Sequence, residues 1–109
     1  MTTAKPFDAD NAFQRMRERT RAAREHEAGE VFSAANIDAV MSAAATAGQS
    51  AAVFAPNQPM DLSETDTARA TVETFRKAGF FAEWVTRQKP DEEPTKHLRV
   101  SWGADAKAS

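Results

Sequence analysis

Residues 62–85, LSETDTARATVETFRKAGFFAEWV, decide the fold. Ser63-Glu64-Thr65-Asp66 reads as a helix start, a capping box with Asp in place of Glu and with Ser63 as the N-cap. Ala68, Val72, Phe75 and Ala78 then recur every three or four residues, which lays one apolar stripe along a helix. Arg76 and Lys77 fall in the last turn, where the helix dipole favours cations. Gly79 suits the left-handed position that closes a helix, and Phe80 can fold back onto the final turn. Beyond it the period changes. Phe81, Glu83 and Val85 alternate with Phe80, Ala82, Trp84 and Thr86, the pattern of a strand with one exposed face.

Upstream the same unit occurs once more. Ser33 reads as an N-cap, with Phe32 before it and Ile37 four residues into the helix as a hydrophobic staple. Ile37, Val40, Met41 and Ala44 give the expected buried face, and Ala47-Gly48 closes the helix. Ala51 to Ala55 follows, short, apolar and bounded by Gly48 and Pro56, so it is expected to be a strand buried on both faces. Downstream of the second unit, the polar loop Lys89–Thr95 joins a last strand, Leu98 to Trp102, in which Leu98, Val100 and Trp102 alternate with Arg99 and Ser101.

The fold expected from these elements is α/β (α+β). Two helices pack on a small three-stranded sheet with a C-terminal β-hairpin, plus an extra N-terminal helix. The crossover helix predicts that the first two strands are parallel; the order of strands is open.

The N-terminal helix is expected over Asp8 to about Ala28, with Gly29 ending it. Ala9, Phe13, Met16, Thr20 and Ala23 form its apolar stripe, which holds only two large side chains. Arg15 and Arg19 lie on one side of it and Arg17, Arg21 and Arg24 roughly opposite. So poor a stripe predicts a helix that projects or docks on a partner. The chain thus divides into an Arg-rich helical arm (1–29, its first seven residues loose), a compact α-β-α-β-β domain (30–103) and a disordered tail (104–109). A core of this size is marginal, and burial against a partner would add stability.

Charge is segregated. After the five arginines between 15 and 24, residues 25–66 carry Glu25, Glu27, Glu30, Asp38, Asp61, Glu64 and Asp66 with no Lys or Arg, which invites pairing within or between chains. Net charge is −2 over 109 residues, which singles out no class of partner. There is no cysteine, so disulfides, thiolate metal sites and cysteine nucleophiles are excluded. No apolar run approaches the roughly 18 residues that span a bilayer, and residues 1–6 have no signal core behind them. The default is a soluble protein with no membrane partner.

Catalytic chemistry finds no pattern. His26 and His97 are the only histidines, and neither sits in an HxxH, HExxH or DxDxDG arrangement. Asp91-Glu92-Glu93 reads as a solvated loop tip, and Ser33, Ser63 and Ser101 lack a nucleophile-elbow context. Each Ala-Gly pair follows a helix, so neither opens a phosphate loop. No enzyme, cofactor, metal or small-molecule substrate is expected. Trp84 and Trp102 read as core or interface residues. A winged-helix reading for nucleic acid fails on the single helix between the first two strands and on the acidic would-be wing.

The C-terminal half resembles a known group. A helix ending Lys77-Ala78-Gly79-Phe80, an aromatic strand, a polar loop and a last strand Leu98-Arg99-Val100-Ser101-Trp102 look like small structural proteins of tailed bacteriophages. The resemblance runs from about Val31 to Gly103 and includes Ala47-Gly48-Gln49-Ser50 to Phe54 upstream; the arginine helix lies outside it. Ala52-Val53-Phe54-Ala55-Pro56 departs from it, since a more β-branched strand is usual there. The resemblance implies a non-enzymatic virion component of head, neck or tail, made in the bacterial cytoplasm and present in many symmetric copies. Its partners would be other virion proteins or copies of itself. The residues expected to meet those partners are Phe13, Met16, Arg15, Arg19, Arg24, Trp84 and Trp102. The competing reading is a small phage or bacterial regulator that binds nucleic acid or a host protein.

Overall fold

The structure, a computed structural model, describes residues 7–103. Expectations for residues 1–6 and for the tail 104–109 lie outside the described residues. In chain order the elements are α1 (Ala9–Val31), α2 (Ala34–Thr46), β1 (Ala51–Phe54), α3 (Asp66–Lys77), β2 (Phe81–Arg87) and β3 (Thr95–Ser101). They make an α+β fold in which the helical layer covers one face of a three-stranded antiparallel sheet.

Strand order is β1-β3-β2. β1 and β2 point the same way, as a crossover through α3 requires, but β3 lies between them and pairs antiparallel with both. The first two strands are thus parallel in direction, as expected, without being hydrogen-bonded neighbours. β1 has four residues and ends just before Pro56, which suits an edge. β3 carries the two most apolar inward positions, Leu98 and Val100, both fully buried, and so takes the centre. It runs from Thr95 to Ser101, and just beyond it the Trp102 N–H donates to the Ser50 carbonyl.

Register sorts the two faces. The rows Ala52–Val100–Ala82 and Phe54–Leu98–Trp84 face the helices, whereas Val53–Arg99–Glu83 faces away. β1 is thus buried on one face only, because Val53 on the other is half exposed. Against the inner face pack Val72 and Phe75 of α3, Leu62 of the preceding loop, and Ala28, Val31 and Phe32.

Both Ala-Gly helix ends close as expected. Gly48 and Gly79 have φ of 82° and 98°, conformations in which a Cβ is penalised. The Gln49 N–H reaches the Ala44 carbonyl, and the Phe80 N–H the Phe75 carbonyl, so orphan carbonyls at each end are paired. Phe80 also sets its ring on Phe75, centroids 5.4 Å apart.

The starts differ more. Ser33 caps α2, accepting from the Asn36 N–H. Ser63 does not cap α3: its hydroxyl and its N–H both donate to the Asp61 carboxylate, and the helix begins at Asp66. Thr65 is the cap, accepting from the Ala68 N–H at 3.1 Å and donating to the Leu62 carbonyl at 2.7 Å. Burial of Leu62 holds this turn in place and so moves the helix start two residues on.

Gly29 does not end α1, which continues to Val31. A mid-helix glycine costs about 1 kcal/mol, less than the burial of Val31 and Phe32 at that end returns. The Asn36 amide then donates to the Val31 carbonyl, satisfying the last turn. α2 departs in the opposite sense. Ile37, Val40, Met41 and Ala44 pack against the core, yet no residue of α2 is buried.

Candidate interaction surfaces

α1 has two halves with different surroundings. Its C-terminal end is pinned by carboxylates. Glu25 accepts from the Asp66 N–H through Oε1 and from the Thr67 hydroxyl through Oε2. This puts a negative charge at the start of α3, where N–H groups are unpaired and the helix dipole is positive. The Asp66 N–H is the main reason that the Glu25 carboxyl is held below its ordinary pKa. Two residues further along, Glu27 accepts from the Asn57 N–H at 2.6 Å, and Ala28 is fully buried. Arg24 reaches Glu93 in the β2–β3 loop, 3.6 Å away.

Before Arg24 the anchoring stops. Among the described residues, none from Ala9 to Ala23 makes a hydrogen bond or ion pair to another element. Phe13 is 60% and Met16 47% exposed. Arg17 lies over the Phe13 ring, 5.6 Å from its centroid. Phe13, Met16, Arg17, Arg21 and Arg24 border a wide open groove whose far wall holds Asp61, Glu64, Asp66 and Arg69, so one arginine face is turned toward the chain's own acids. Arg15 and Arg19 are outside that groove and exposed. The structure therefore groups Phe13, Met16, Arg15 and Arg19 on the projecting part of α1 and places Arg24 at its anchored base.

The tryptophans are elsewhere and apart. Trp84, Phe32, Phe54, Phe75, Phe80 and Trp102 form a continuous series of ring contacts, with centroids 5.4–6.3 Å apart. Trp84 and Trp102 are its two half-buried ends. Their indoles thus finish the core, each meeting its phenylalanine edge to face at 89° and 75°, a geometry favoured for aromatic pairs.

Two surfaces were not singled out from sequence. One is the outer face of the sheet. Val53, Phe81 and Val85 are exposed there, around an Arg99–Glu83 pair at 3.9 Å. His97 shares the face, and its pKa is lowered, first by partial burial and then by the Arg87 charge. The other is α2, an alanine-rich helix with one charged residue, Asp38. Between α2 and α3 runs a groove of about 480 Å³ lined by Ile37, Met41, Ala70 and Phe75. Met41 also borders an adjoining recess with Phe80 and Trp102.

The remaining polar cluster is structural. Asp61 receives both Ser63 donors and lies 3.6 Å from Lys96. Burial raises its pKa, but the Ser63 bonds with the Lys96 and Arg24 charges outweigh this, and the net shift is downward. Among the described residues no three His, Cys, Asp or Glu side chains converge as metal ligands, and no helix is long and apolar enough to cross a membrane.

The class that these features define is a small α+β domain with an open sheet face and a projecting basic helix. No protein-family model, curated protein or solved structure matches the chain.

Proposed function

We propose that the chain is a non-enzymatic structural protein of a tailed bacteriophage particle, in the head, neck or tail, acting through protein–protein contacts. The observation that carries this reading is the division of α1. A helix pinned at one end by Glu25, Glu27 and Ala28 holds Phe13 and Met16 out in solvent at the other. Along a straight helix, Phe13 stands about 18 Å from Glu25. Exposed apolar side chains on such a projecting helix suit a docking element and add nothing to the core of their own domain. The open sheet face, with Val53, Phe81 and Val85, offers a second contact. The resemblance of the helix–Gly–strand units and the final Val100-Ser101-Trp102 supplies the particle context.

Mass spectrometry of particles purified from producing cells tests this. The chain is expected in a fixed, multi-copy ratio to the other particle proteins, and its deletion is expected to leave particles incomplete. Its absence from the particles contradicts the proposal.

A further inference from the structure

Within this reading, we infer that the projecting half of α1 of one copy docks in the α2–α3 groove of a second copy. Two elements of the chain lack the partner that their composition demands. α2 is apolar almost throughout, and a helix of that kind is ordinarily buried, yet none of its residues is. α1 carries Phe13 and Met16, one turn apart on one side, and the core cluster contains neither. An apolar helix face and an apolar groove are the two halves of a common docking mode.

Charge selects this pairing over the alternatives. The stripe on α1 is flanked by Arg17 and Arg19. Pairing one arm with another would set arginines against arginines, in either orientation. The outer face of the sheet carries Arg87, His97 and Arg99 against Glu83, a poor match for a basic helix. The α2–α3 groove has no cation in its lining, and Asp38 is its one charge. An apolar lining with one acid and no cation accepts a basic apolar helix without like-charge contacts.

The contact must form between copies. α1 is continuous from Ala9 to Val31 and is pinned near its end, so its first half cannot fold back onto α2 without breaking the helix. Arm and groove are different surfaces, so the contact is head-to-tail. Such contacts propagate into a ring or a filament. Each copy then gives one arm and receives one.

Sedimentation velocity on the full-length protein tests this with two variants at exposed positions. The first carries Phe13→Asp and Met16→Asp; the second carries Asp38→Arg and Ala70→Arg. The wild-type protein is expected to associate with rising concentration. Each variant alone is expected to associate at least about tenfold more weakly. An equimolar mixture is expected to give a one-to-one dimer, because one intact arm and one intact groove remain. The milder pair Phe13→Ala and Met16→Ala, which keeps the helix, is expected to weaken association in the same direction, and circular dichroism checks the fold of each variant. A wild-type protein that stays monomeric, variants that associate like wild type, or a mixture that stays monomeric overturns the inference. The particle reading is separable. A monomer found in particles overturns only the arm–groove contact, and an oligomer absent from particles overturns only the particle reading.

Discussion

The chain contains two helix–Gly–strand units that are alike at their ends and unlike in their surroundings. α2 and α3 both close on a glycine at positive φ with the same pair of backbone bonds. Yet α3 buries Ala68, Val72 and Phe75, while α2 only partly covers Ile37, Val40, Met41 and Ala44. α3 is charged on its outer side, with Arg69, Glu73, Arg76 and Lys77, and apolar on its inner side. α2 is apolar on nearly every side. The local code for stopping a helix is thus the same in both units, whereas the coverage differs. What differs is position. α3 has the base of α1 on one side and β2 beneath it, but α2 meets mainly β1, the short edge strand.

The largest effect that would break this comparison is in the core. Phe75→Ala removes the ring that links Phe54 to Phe80 and is expected to destabilise by about 3–5 kcal/mol in urea unfolding. Met41→Ala in α2 is expected to cost less than half as much, since Met41 is only partly covered. Equal losses would mean that α2 is as well packed as α3.

Capping comes next. Thr65→Ala leaves the Ala68 N–H without its acceptor and is expected to cost about 1–2 kcal/mol. Ser63→Ala loses only a side-chain bond to Asp61 and is expected to cost less. A larger loss at Ser63 would return the cap to that residue. Gly48→Ala and Gly79→Ala are each expected to cost about 1–2 kcal/mol, because both force an alanine to positive φ. Similar values would sharpen the point that helix ends are equivalent where helix burial is not.

The smallest effect concerns pH. Glu25 and Asp61 have folded pKa values below their unfolded ones. Each therefore adds stability that is present above the unfolded pKa and is lost as pH falls through the folded one, below about pH 5. Glu25→Gln is expected to flatten part of that acid slope and to speed amide exchange in the base of α1. An unchanged slope would mean that Glu25 does not hold the helix.

Much of the fold was legible because it rests on local signals. Ser33, the two Ala-Gly pairs and the alternation from Phe80 to Thr86 place most of the boundaries within a few residues. Non-local choices were not legible. The insertion of β3 between β1 and β2 depends on which strand has two fully buried apolar residues and which stops at Pro56. The move of the cap from Ser63 to Thr65 depends on Leu62 reaching the core. Gly29 fails to stop α1 because Val31 and Phe32 find burial beyond it. For the candidate surfaces, the exposure of Phe13 and Met16 followed from the thin stripe of α1. The anchoring of its base was signalled only by the acids that begin at Glu25, and their partners, Asp66 and Asn57, are distant in sequence. The openness of α2 left no mark, since Ile37, Val40, Met41 and Ala44 read like any buried face.

The most direct test of the account is amide hydrogen exchange, residue by residue, at low and high protein concentration. At high dilution α3 is expected to exchange at the slow global rate, with α2 and residues 9–23 much faster. As concentration rises, α2 and residues 9–23 are expected to slow together while α3 changes little. An α2 as protected as α3 at high dilution, or an arm and α2 that do not respond together, would contradict it.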